Sequence, residues 1–472
     1  MSNLAALVLA AGQSRRMKSP LSKVLHPVAG RPLLYYPVAA ARAAGASQVV
    51  VVTSARDRDQ IEQYLVGAFG ASLIRIRVQE PPRGTGDAAR IGLEGLDAGA
   101  ERALILYGDV PLLEQTDLER LAATAQSPSE LGLGTCRLRD PHGYGRIVRA
   151  ANGDVLGIVE HKDLKDAAQA AIDEINTGLY AVHVRSLHEA LAGISNNNAQ
   201  GEYYLTDILP WFASRGRVQA VSLSEDATLG VNDRSQLCEV EERMFARIAR
   251  RHRLAGSSIA SGVRIDDAVT IGSDVTLHAN VHLRGKTEIG DGARIDVGCV
   301  LENARVGAGA TVLPYSVVAD SELGPSCQIG PFTHVRPHSV LEAEVKLGNF
   351  VETKATRLRR GAKANHLSYL GDGDVGENTN IGAGTIFCNY DGYAKHKTTI
   401  GRDVFIGSDS QLIAPISIGD GAYVATATSV NEDVPADALA IGRARQSNKP
   451  GYASRLKARL KAAAAAAGKG HK

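Results

Sequence analysis

The sequence predicts two folds in succession, an α/β domain with a mostly parallel, Rossmann-like sheet and then a parallel β-helix of hexapeptide repeats. Short apolar runs alternate with amphipathic segments through the first half of the chain, as in a sheet covered by helices. From residue 271 to residue 419, an aliphatic residue followed by glycine recurs, mostly near multiples of six apart. An aliphatic side chain at every sixth position fills a narrow triangular core, and the small residues after it turn the corner.

The elements and domains follow from these patterns. Apolar runs predict strands at 6–10, 48–52, 73–78 and 104–107, and amphipathic segments predict helices at 33–44 and 86–96. Asn232 or Asp233 is expected to cap a long helix with apolar residues at helical spacing. The chain is therefore expected to contain a first domain, a linker helix, a repeat domain and an Ala- and Lys-rich tail with a frayed or disordered end, at 1–231, 232–254, 255–452 and 453–472.

The repeat is interrupted twice, between residues 347 and 375 and between residues 381 and 400. We expect a loop to bulge out of the β-helix at each interruption. His366 lies in the first, and Asn389 and Tyr390 lie in the second. Residues capable of chemistry therefore gather where the repeat fails.

Composition and charge exclude several classes of protein. The 472 residues carry 53 Lys and Arg against 51 Asp and Glu, a net charge of +2, which argues against nucleic acid as the main partner. The five cysteines are scattered without a CxxC pair, so we expect reduced thiols in a cytoplasmic protein, without a disulfide framework or a zinc site. We expect no signal peptide, because the N-terminus runs straight into a strand-like segment without a basic region. We expect no membrane insertion, because no apolar stretch approaches the roughly 20 residues that span a bilayer.

The segment after the first strand is suited to phosphate. Leu9, Ala10, Ala11 and Gly12 are followed by Arg16 and then Lys23. Small residues let backbone N–H groups approach a phosphate, and the two cations would supply charge for a pyrophosphate. The alternative is an ordinary strand–helix turn with basic residues on its surface, and this segment alone leaves both open.

Asp109 ends a buried-looking strand, in the sequence Tyr107-Gly108-Asp109. Packing explains a carboxylate poorly at such a position, since an ionised Asp is rarely buried unless it is paired or binds a metal. Mg²⁺ usually takes one or two protein oxygens together with phosphates and waters. Asp109 with a second oxygen from elsewhere in the chain fits that habit.

His366 belongs to a domain whose inward positions are apolar but which also carries polar and cationic residues. A lone histidine is more often structural than catalytic, so its context must decide. Arg336, Lys354, Tyr369 and Asn380 accompany it in the repeat. Two cations near a neutral base suit a phosphorylated sugar that bears an amine, since imidazole has a pKa near neutrality and would take the amine proton.

Several motifs together resemble the bacterial bifunctional N-acetylglucosamine-1-phosphate uridyltransferase/glucosamine-1-phosphate acetyltransferase family. They include the string at 196–207 (NNNAQGEYYLTD), the string at 349–352 (NFVE), and the pair at 380–385 (NIGAGT) and 389–392 (NYDG). The resemblance covers nearly the whole chain except the tail. It implies a left-handed β-helix and a homotrimer, because in this family the acetyl-CoA groove lies between neighbouring subunits.

The resemblance implies two reactions and their substrates. The second domain would transfer an acetyl group from acetyl-CoA to glucosamine-1-phosphate. The first would transfer a uridylyl group from UTP to the resulting N-acetylglucosamine-1-phosphate, with Mg²⁺, and release pyrophosphate. The product, UDP-N-acetylglucosamine, is a precursor for peptidoglycan, lipopolysaccharide and the cell wall.

The resemblance also assigns residues. Residues 9–12 with Gly84 and Thr85 would hold the nucleotide, and His366 would accept the proton, with Glu352 as a hypothetical orienting group. In the first domain, the nucleotide and sugar phosphate would be bound by Leu9, Ala10, Ala11, Gly12, Arg16, Lys23, Gln79, Gly84, Thr85, Tyr107, Gly108, Asp109, Gly145, Glu160, Asn176 and Asn232. Asp109 and Asn232 would be the Mg²⁺ ligands, and Gly145, Glu160 and Asn176 would hold the N-acetylglucosamine moiety. In the second domain, glucosamine-1-phosphate would be bound by Arg336, Lys354, Tyr369 and Asn380, and acetyl-CoA by Ala383, Asn389, Tyr390, Ser408, Thr426 and Arg443.

Four positions depart from the family pattern, namely Ser14, Pro82, Thr426 and Ala427, the last of which stands where glycine is usual. Ser14 stands where glycine is usual in the phosphate loop, and Pro82 stands where a second glutamine commonly faces uracil. Proline cannot offer that side-chain hydrogen bond, so we expect the preference for uridine to be less certain than the transfer reaction. Thr426 replaces the usual alanine, and its β-branched side chain would crowd acetyl-CoA without preventing binding.

Two other functions compete with this interpretation. One is a monofunctional sugar-1-phosphate nucleotidyltransferase with a purely structural β-helix, against which His366, Arg336 and Lys354 count. The other is a non-enzymatic regulatory subunit that only binds small molecules. Such a subunit would be expected to lose the metal oxygens and the phosphate cations, and the sequence keeps both.

Overall fold

The structure is a computed structural model that describes residues 3–12, 15–198 and 200–467. Its contacts group into two compact units. The first contains the chain up to Ala255 together with Val263–Val269, and the second contains Gly256–Gly262 and the chain from Thr270 onward. The helix predicted as a linker therefore packs as part of the first unit.

The first unit is built on a mixed sheet. Its strands, with a separate hairpin of β2 and β3, are β1 (Leu4–Leu9), β2 (Pro27–Val28), β3 (Arg31–Pro32), β4 (Gln48–Thr53), β5 (Ile74–Val78), β6 (Arg102–Tyr107), β7 (Glu130–Arg137), β8 (Arg146–Arg149), β9 (Val155–Val159), β10 (Glu174–His183) and β11 (Arg217–Ser222). The sheet order is β11-β7-β10-β6-β1-β4-β5, and β8 pairs with β10 and β9. Strands β6, β1, β4 and β5 are parallel to their neighbours in that series, so their carboxyl ends share one edge.

Helices cover both faces of this sheet. The helices of the chain are α1 (Tyr35–Ala43), α2 (Arg58–Phe69), α3 (Thr85–Leu93), α4 (Gln115–Ala122), α5 (Ala167–Ala170), α6 (Val184–Ala192), α7 (Leu209–Arg215), α8 (Arg234–Leu254) and α9 (Tyr452–Ala466). Successive residues of β1 enter opposite cores, since Ala6 and Val8 pack in one apolar cluster and Leu7 and Leu9 in the other. A strand buried on both faces must be apolar throughout, which explains the uninterrupted runs in the sequence.

Two predictions about helix ends are decided here. Asp233 caps α8, because its Oδ1 accepts a hydrogen bond from the backbone N–H of Gln236 at 2.9 Å. The tail was expected to fray, but α9 continues to Ala466 because alanine has the highest helix propensity. Residues 468–472 lie outside the described residues.

The second unit is a three-sided parallel β-helix, which confirms the predicted fold class for this part of the chain. Face 1 consists of Ser258–Ile259, Thr276–Leu277, Arg294–Ile295, Thr311–Val312, Gln328–Ile329, Lys346–Asn349, Lys363–His366, Asn380–Ile381, Phe405–Ile406, Tyr423–Val424 and Leu439–Ala440. Face 2 continues from His282–Arg284 through Val300–Glu302, Val317–Ala319, His334–Val335, Glu352–Lys354, Tyr369–Gly371, Ile386–Cys388, Gln411–Ile413 and Ser429–Val430. Face 3 consists of Thr270–Ile271, Glu288–Ile289, Arg305–Val306, Glu322–Leu323, Val340–Leu341, Arg357–Leu358, Gly373–Val375, Thr398–Ile400 and Ile416–Ile418.

The glycines of several aliphatic–glycine pairs have a further reason besides the predicted corner. The sequence suggested that these small residues turn the corner. An added Cβ at Gly290 would lie 2.8 Å from the backbone nitrogen of Ala308, and one at Gly324 would lie 2.7 Å from that of Ala343. Both neighbours belong to the next coil, so glycine lets consecutive coils approach each other closely.

The predicted loop between residues 347 and 375 is wrong. The strands of all three faces continue through this stretch, and their register with the coils before and after it is unbroken. Its inward positions are filled by the buried residues Val351, Leu358, Ala364 and Leu370, and the first three of these lack a following glycine. The sequence pattern therefore fades here while the fold does not, and His366 ends a regular strand.

The second interruption is a real insertion. Extra residues leave the β-helix between the strands Ile386–Cys388 and Thr398–Ile400, and a bridge between Tyr390 and Lys395 closes this loop. In the described part of the chain, no helix is long and apolar enough to cross a membrane.

Candidate active sites of the two units

The nucleotide cleft of the first unit lies along the carboxyl edge of the parallel strands. Residues 9–12 leave β1, Gln79 follows β5, and Asp109 follows β6, so the sheet brings three distant segments together. A cavity of about 540 Å³ there is lined by Leu9, Ala10, Ala11, Gly12, Lys23, Val24, Gln79, Pro82, Gly84, Thr85, Ala88, Tyr107, Asp109 and Glu202. Most of the predicted nucleotide-binding residues therefore share one cleft.

Two oxygens at this edge converge on one cation. Lys23 Nζ forms an ion pair with Asp109 Oδ2 and also lies 3.4 Å from Asn232 Oδ1. The backbone N–H of Val231 donates to the carbonyl oxygen of Asp109 at 2.9 Å, which holds the two segments side by side. The predicted second oxygen, Asn232, is thus brought next to Asp109 from far along the chain.

A second cavity adjoins the first and shares Thr85, Tyr107 and Glu202 with it. It has a volume of about 440 Å³ and is lined by Thr85, Tyr107, Gly143, Tyr144, Gly145, Glu160, His161, Lys162, Asp163, Asn176, Thr177, Gly178, Gln200, Glu202, Tyr204 and Thr206. The predicted sugar-binding residues Gly145, Glu160 and Asn176 are all in it. The backbone N–H of Asn176 donates to the carbonyl oxygen of Gly145 at 2.9 Å, which fixes these two strands against each other.

Burial shifts the protonation of this second cavity. The pKa of Glu160 is raised by burial and by the nearby carboxylates of Asp163 and Asp207, and a hydrogen bond with Thr206 opposes the shift. Burial, with the charges of Asp109 and Glu160, also raises the pKa of Tyr107 above its usual range. Its phenol therefore stays neutral and remains a hydrogen-bond donor between the two cavities.

The segment at residues 196–207, in which sequence analysis predicted no site residue, lines both cavities. The backbone N–H of Gly86 donates to the carbonyl oxygen of Tyr203 at 2.8 Å, and the backbone N–H of Leu205 donates to Thr85 Oγ1 at 3.0 Å. Gly84 has φ +104°, and an added Cβ would lie 2.5 Å from the Tyr203 oxygen. The lining residues of this segment, which sequence reasoning missed, are Gln200, Glu202, Tyr204 and Thr206. The string at 196–207 was their only signal, and it marked the family without marking roles.

Two predicted residues of the first unit have other environments. Arg16 is exposed on the 3-10 helix Arg15–Met17 and lines neither cavity, because that turn presents its side chain to solvent. Gly108 is required for packing, since an added Cβ would lie 2.9 Å from Leu34 and 3.0 Å from Ala10. Ser14 lies outside the described residues.

In the second unit, His366 is held by a residue that the sequence did not suggest. Its Nδ1 lies 3.1 Å from Asn349 Oδ1, and the two residues are opposite each other on face 1. An amide oxygen only accepts hydrogen bonds, so this contact suits the neutral tautomer with its proton on Nδ1, which presents the lone pair of Nε2. The side chain is exposed, which leaves Nε2 open to a substrate.

The expectation that Glu352 orients His366 is wrong. Glu352 lies on face 2, where its Oε1 accepts a hydrogen bond from Arg336 Nη1 at 2.7 Å and where Tyr369 is its neighbour in the next coil. The register of the β-helix therefore assigns Glu352 to the predicted sugar-phosphate residues and away from the imidazole.

Lys354 completes this group on face 2. Its Nζ donates to Asp372 Oδ1 at 2.8 Å, and Asn389 Nδ2 donates to Asp372 Oδ2 at 2.5 Å. An added Cβ at Gly371 would lie 2.5 Å from Tyr369 Oη and 2.6 Å from Asn389 Nδ2, so these side chains crowd one spot. Asn380 instead lies on face 1 with His366.

Four of the six predicted acetyl-CoA residues, Tyr390, Ser408, Thr426 and Arg443, form an exposed series on successive coils, whereas Ala383 is half-buried and Asn389 is buried. The backbone N–H of Asp409 donates to the carbonyl oxygen of Ala383, and Arg443 Nη1 donates to that of Thr426 at 2.6 Å. Tyr390, in the inserted loop, is 57% exposed, and Ser408 and Thr426 are also exposed. A single chain thus offers this surface open to solvent.

Family profiles match three stretches of the chain. A MobA-like NTP transferase domain matches residues 6–194, a GMPPB C-terminal domain matches residues 259–358, and a hexapeptide repeat of succinyl-transferase matches residues 397–431. The first coincides with the nucleotide cleft, and the other two lie in the β-helix.

Curated relatives cover almost the full chain. The "Bifunctional protein GlmU" of Sorangium cellulosum is 53% identical over 466 residues, 98% of each chain. That of Acinetobacter baylyi is 45% identical over 94% of this chain and 97% of its own, and that of Pelobacter propionicus is 42% identical over 97% and 99%. The chain belongs to the bifunctional GlmU family.

GlmU membership settles the choice among the predicted functions. It confirms the predicted family and, with the transferase and hexapeptide-repeat matches, a bifunctional enzyme that joins a uridyltransferase to an acetyltransferase. A monofunctional nucleotidyltransferase and a non-enzymatic subunit both lose their support.

Proposed function

We propose that this chain makes UDP-N-acetylglucosamine in two steps, acetylating glucosamine-1-phosphate in the second unit and joining the product to UTP in the first. The observation that carries the proposal is the pairing of His366 with Asn349. A structural β-helix has no need of an exposed imidazole whose Nδ1 contacts a neighbouring amide oxygen and whose Nε2 is open. The first unit then supplies a nucleotide-sized cleft for the second reaction.

Acetyl transfer needs a base and phosphate-binding groups. The amine nitrogen of glucosamine-1-phosphate attacks the thioester carbon of acetyl-CoA, the new C–N bond forms, and the C–S bond breaks to release CoA. His366 Nε2 accepts the proton that the nitrogen loses, while Asn349 keeps the other ring nitrogen protonated. Arg336 and Lys354, with Tyr369 and Asn380, would hold the sugar phosphate, and the series from Ala383 to Arg443 would hold acetyl-CoA.

Uridylyl transfer depends on positioning and charge. A phosphate oxygen of N-acetylglucosamine-1-phosphate attacks the α-phosphorus of UTP, and the bond to the β-phosphate breaks so that pyrophosphate leaves. The attacking phosphate is already ionised, so no general base is required. Lys23 supplies positive charge in the cleft, and Glu160 and Asn176 would accept and donate hydrogen bonds to the sugar.

Mg²⁺ fits the residues at this edge. Asp109 and Asn232 aim two oxygens at the position of the Lys23 ammonium, which is a position suited to a cation. Mg²⁺ commonly takes so few protein oxygens when phosphates and waters complete its shell. Bound there, it would neutralise charge on the phosphates of UTP.

A homotrimer and a cytoplasmic location belong to the same proposal. Most of the predicted acetyl-CoA residues are exposed on one chain, and the three flat faces of the β-helix allow other copies to pack beside it. A neighbouring copy would then cover the surface from Ala383 to Arg443. This arrangement would make the second site depend on assembly.

Two substitutions in the full-length chain test both halves. His366→Ala is expected to lower CoA release from acetyl-CoA and glucosamine-1-phosphate by about 10²-fold or more and to leave pyrophosphate release from UTP unchanged. Asp109→Ala is expected to do the reverse, so each variant controls for the folding of the other unit. Acetyl transfer that survives His366→Ala removes the base assignment, and a wild-type protein without either activity removes the function.

A further inference from the structure

Asp372 occupies a corner of the β-helix between the strands Tyr369–Gly371 and Gly373–Val375. Its φ is +53°, in the left-handed region where Asn and Asp are the best tolerated residues after glycine. Its backbone N–H donates to the carbonyl oxygen of Lys354 at 2.9 Å. The corner therefore explains a small polar residue here, but Asn would serve the backbone as well as Asp.

The carboxylate has a second role that the corner does not explain. One of its oxygens accepts from Lys354 Nζ at 2.8 Å and the other from Asn389 Nδ2 at 2.5 Å. Lys354 is proposed to hold the sugar phosphate, and Asn389 is proposed to hold acetyl-CoA. One side chain thus contacts a residue from each of the two proposed substrate sites.

We propose that Asp372 is a positioning residue that holds Lys354 and Asn389 in register for the two substrates of acetyl transfer. This inference rests on the proposed function. Because both oxygens of a carboxylate only accept, Asn389 must turn its NH₂ group toward Asp372, so its own Oδ1 is the end presented to a ligand. Lys354 has a long flexible side chain, and a charge-assisted hydrogen bond fixes its ammonium group in one place.

An amide at this position would break the arrangement without disturbing the corner. Asp372→Asn keeps the shape and the tolerance of positive φ, but it offers one acceptor and one donor group. The acceptor can still meet Lys354, but the NH₂ group then faces the NH₂ group of Asn389, which must rotate away. Both proposed contacts change, and the backbone preference stays the same.

Asp374 provides a matched control two residues further on. Its side chain is 20% exposed, as is that of Asp372, and it also accepts from two cations, Arg359 at 3.1 Å and Lys397 at 3.4 Å. Neither of its partners is assigned to a substrate. Asp374→Asn therefore removes a comparable ion-paired carboxylate from the same coil.

The test measures KM and kcat of acetyl transfer in the full-length wild type, Asp372→Asn and Asp374→Asn. Because the Lys354 contact loses the charge of its acceptor and the Asn389 contact is lost, KM for glucosamine-1-phosphate and for acetyl-CoA is expected to rise about tenfold in Asp372→Asn. In Asp374→Asn both KM values are expected to stay within about twofold of wild type, because its partners Arg359 and Lys397 are exposed and neither is assigned to a substrate. Melting temperatures and pyrophosphate release from UTP report whether either variant is merely unfolded.

Each result decides between the explanations. Unchanged KM values in Asp372→Asn, or equal increases in both variants, would overturn the positioning role. Equal melting temperatures with KM increases only in Asp372→Asn would support it. A wild type that releases no CoA would instead refute the proposed function itself, and the inference with it.

Discussion

The Gln79 side chain donates its amide hydrogens to Asp87 Oδ2 at 2.9 Å and to the carbonyl oxygen of Gly84 at 3.0 Å. A carboxylate only accepts hydrogen bonds, so this pairing fixes which end of the carboxamide is nitrogen. The end left for a ligand is Oε1, and Gln79 lines the nucleotide cleft. Asp87 therefore makes Gln79 an acceptor toward whatever the cleft binds.

This relationship predicts nucleotide selectivity. Strands β6, β1, β4 and β5 are adjacent in this order in the sheet, so Gln79, which follows β5, lies three strand spacings or roughly 14 Å from Asp109, which follows β6. A nucleotide whose phosphates lie at Asp109 can therefore place its base at Gln79. An acceptor suits the N3–H of uracil and opposes the bare N3 of cytosine. We expect Asp87→Asn to lower the ratio of kcat/KM for UTP over CTP by about tenfold, since the amide of Gln79 is then free to flip.

Asp117→Asn is the control for this experiment. Asp117 is also a buried carboxylate in the first turn of a helix, and each of the two residues lies near the arginine three positions later, 3.8 Å for Arg90 and 4.0 Å for Arg120. Its replacement should leave the UTP to CTP ratio unchanged. If the ratio of kcat/KM for UTP over CTP is also unchanged in Asp87→Asn, Gln79 does not discriminate between uracil and cytosine.

The sequence located this cleft but could not predict its selectivity. The apolar runs placed the carboxyl edge correctly, and Gln79, Pro82 and Gly84 do line it. In the sequence, Pro82 and Ser14 left the preference for uridine less certain than the transfer reaction itself. The hydrogen bond between Gln79 and Asp87 depends on the loop that places the first turn of α3 beside the end of β5. No local pattern in the sequence predicts that these two side chains are in contact.

A second prediction concerns the imidazole of the acetyl-transfer site. Removing the acceptor of its Nδ1–H in Asn349→Ala frees the ring to rotate and to change tautomer, so kcat for acetyl transfer should fall about tenfold. Glu352→Ala should instead release Arg336 and raise KM for glucosamine-1-phosphate, because Glu352 contacts that arginine. Steady-state kinetics with both substrates separate the two effects. A fall in kcat in Glu352→Ala with none in Asn349→Ala would reverse the assignment.

Register explains why sequence reasoning chose the wrong partner for His366. Glu352 and Asn349 are only three residues apart, but a corner lies between them, so they belong to different faces. His366 is opposite Asn349 because unbroken coils stack at this point. The missing aliphatic–glycine pairs suggested a loop there, and a loop has no register from which a neighbour can be predicted.

A third prediction follows from the buried cysteines of the β-helix. Burial raises the pKa of Cys299 and of Cys327 to about 11, and both side chains are fully buried. The thiolate is the reactive form, so at pH 8 both should resist alkylation in the native protein, while exposed Cys238 reacts. Peptide mapping by mass spectrometry after brief alkylation, with and without denaturant, measures this. Native labelling of Cys299 would contradict the buried position.

The same two thiols make the free energy of unfolding depend on pH in the alkaline range. Their pKa is higher in the folded chain than the ordinary value of 9.0, so the unfolded chain loses these protons first. The free energy of unfolding should therefore fall as the pH rises from about 9 toward 11. Cys299→Ser and Cys327→Ser together should flatten that part of the stability curve, measured by urea unfolding.

The last prediction concerns the pH dependence of sugar binding through Glu160. Burial first, and then Asp163 and Asp207, raise the pKa of this carboxyl, so it gains a proton at a pH where an ordinary glutamate stays ionised. A protonated Glu160 has lost one acceptor for a sugar hydroxyl. KM for N-acetylglucosamine-1-phosphate should therefore rise about tenfold as the pH falls through the raised pKa, which corresponds to one charge-assisted hydrogen bond.

Glu160→Gln separates this titration from other effects of pH. The amide cannot ionise, so KM should be high and nearly independent of pH, while KM for acetyl-CoA in the second unit reports general effects of acid. Acid weakens sugar binding but stabilises the folded chain through this group, because the folded chain holds the Glu160 proton more tightly than the unfolded chain. The free energy of unfolding should fall as the pH rises from the ordinary glutamate pKa to the raised one, and Glu160→Gln should remove that loss. A pH-dependent KM that persists in Glu160→Gln would assign the titration to Asp163, Asp207 or the substrate phosphate.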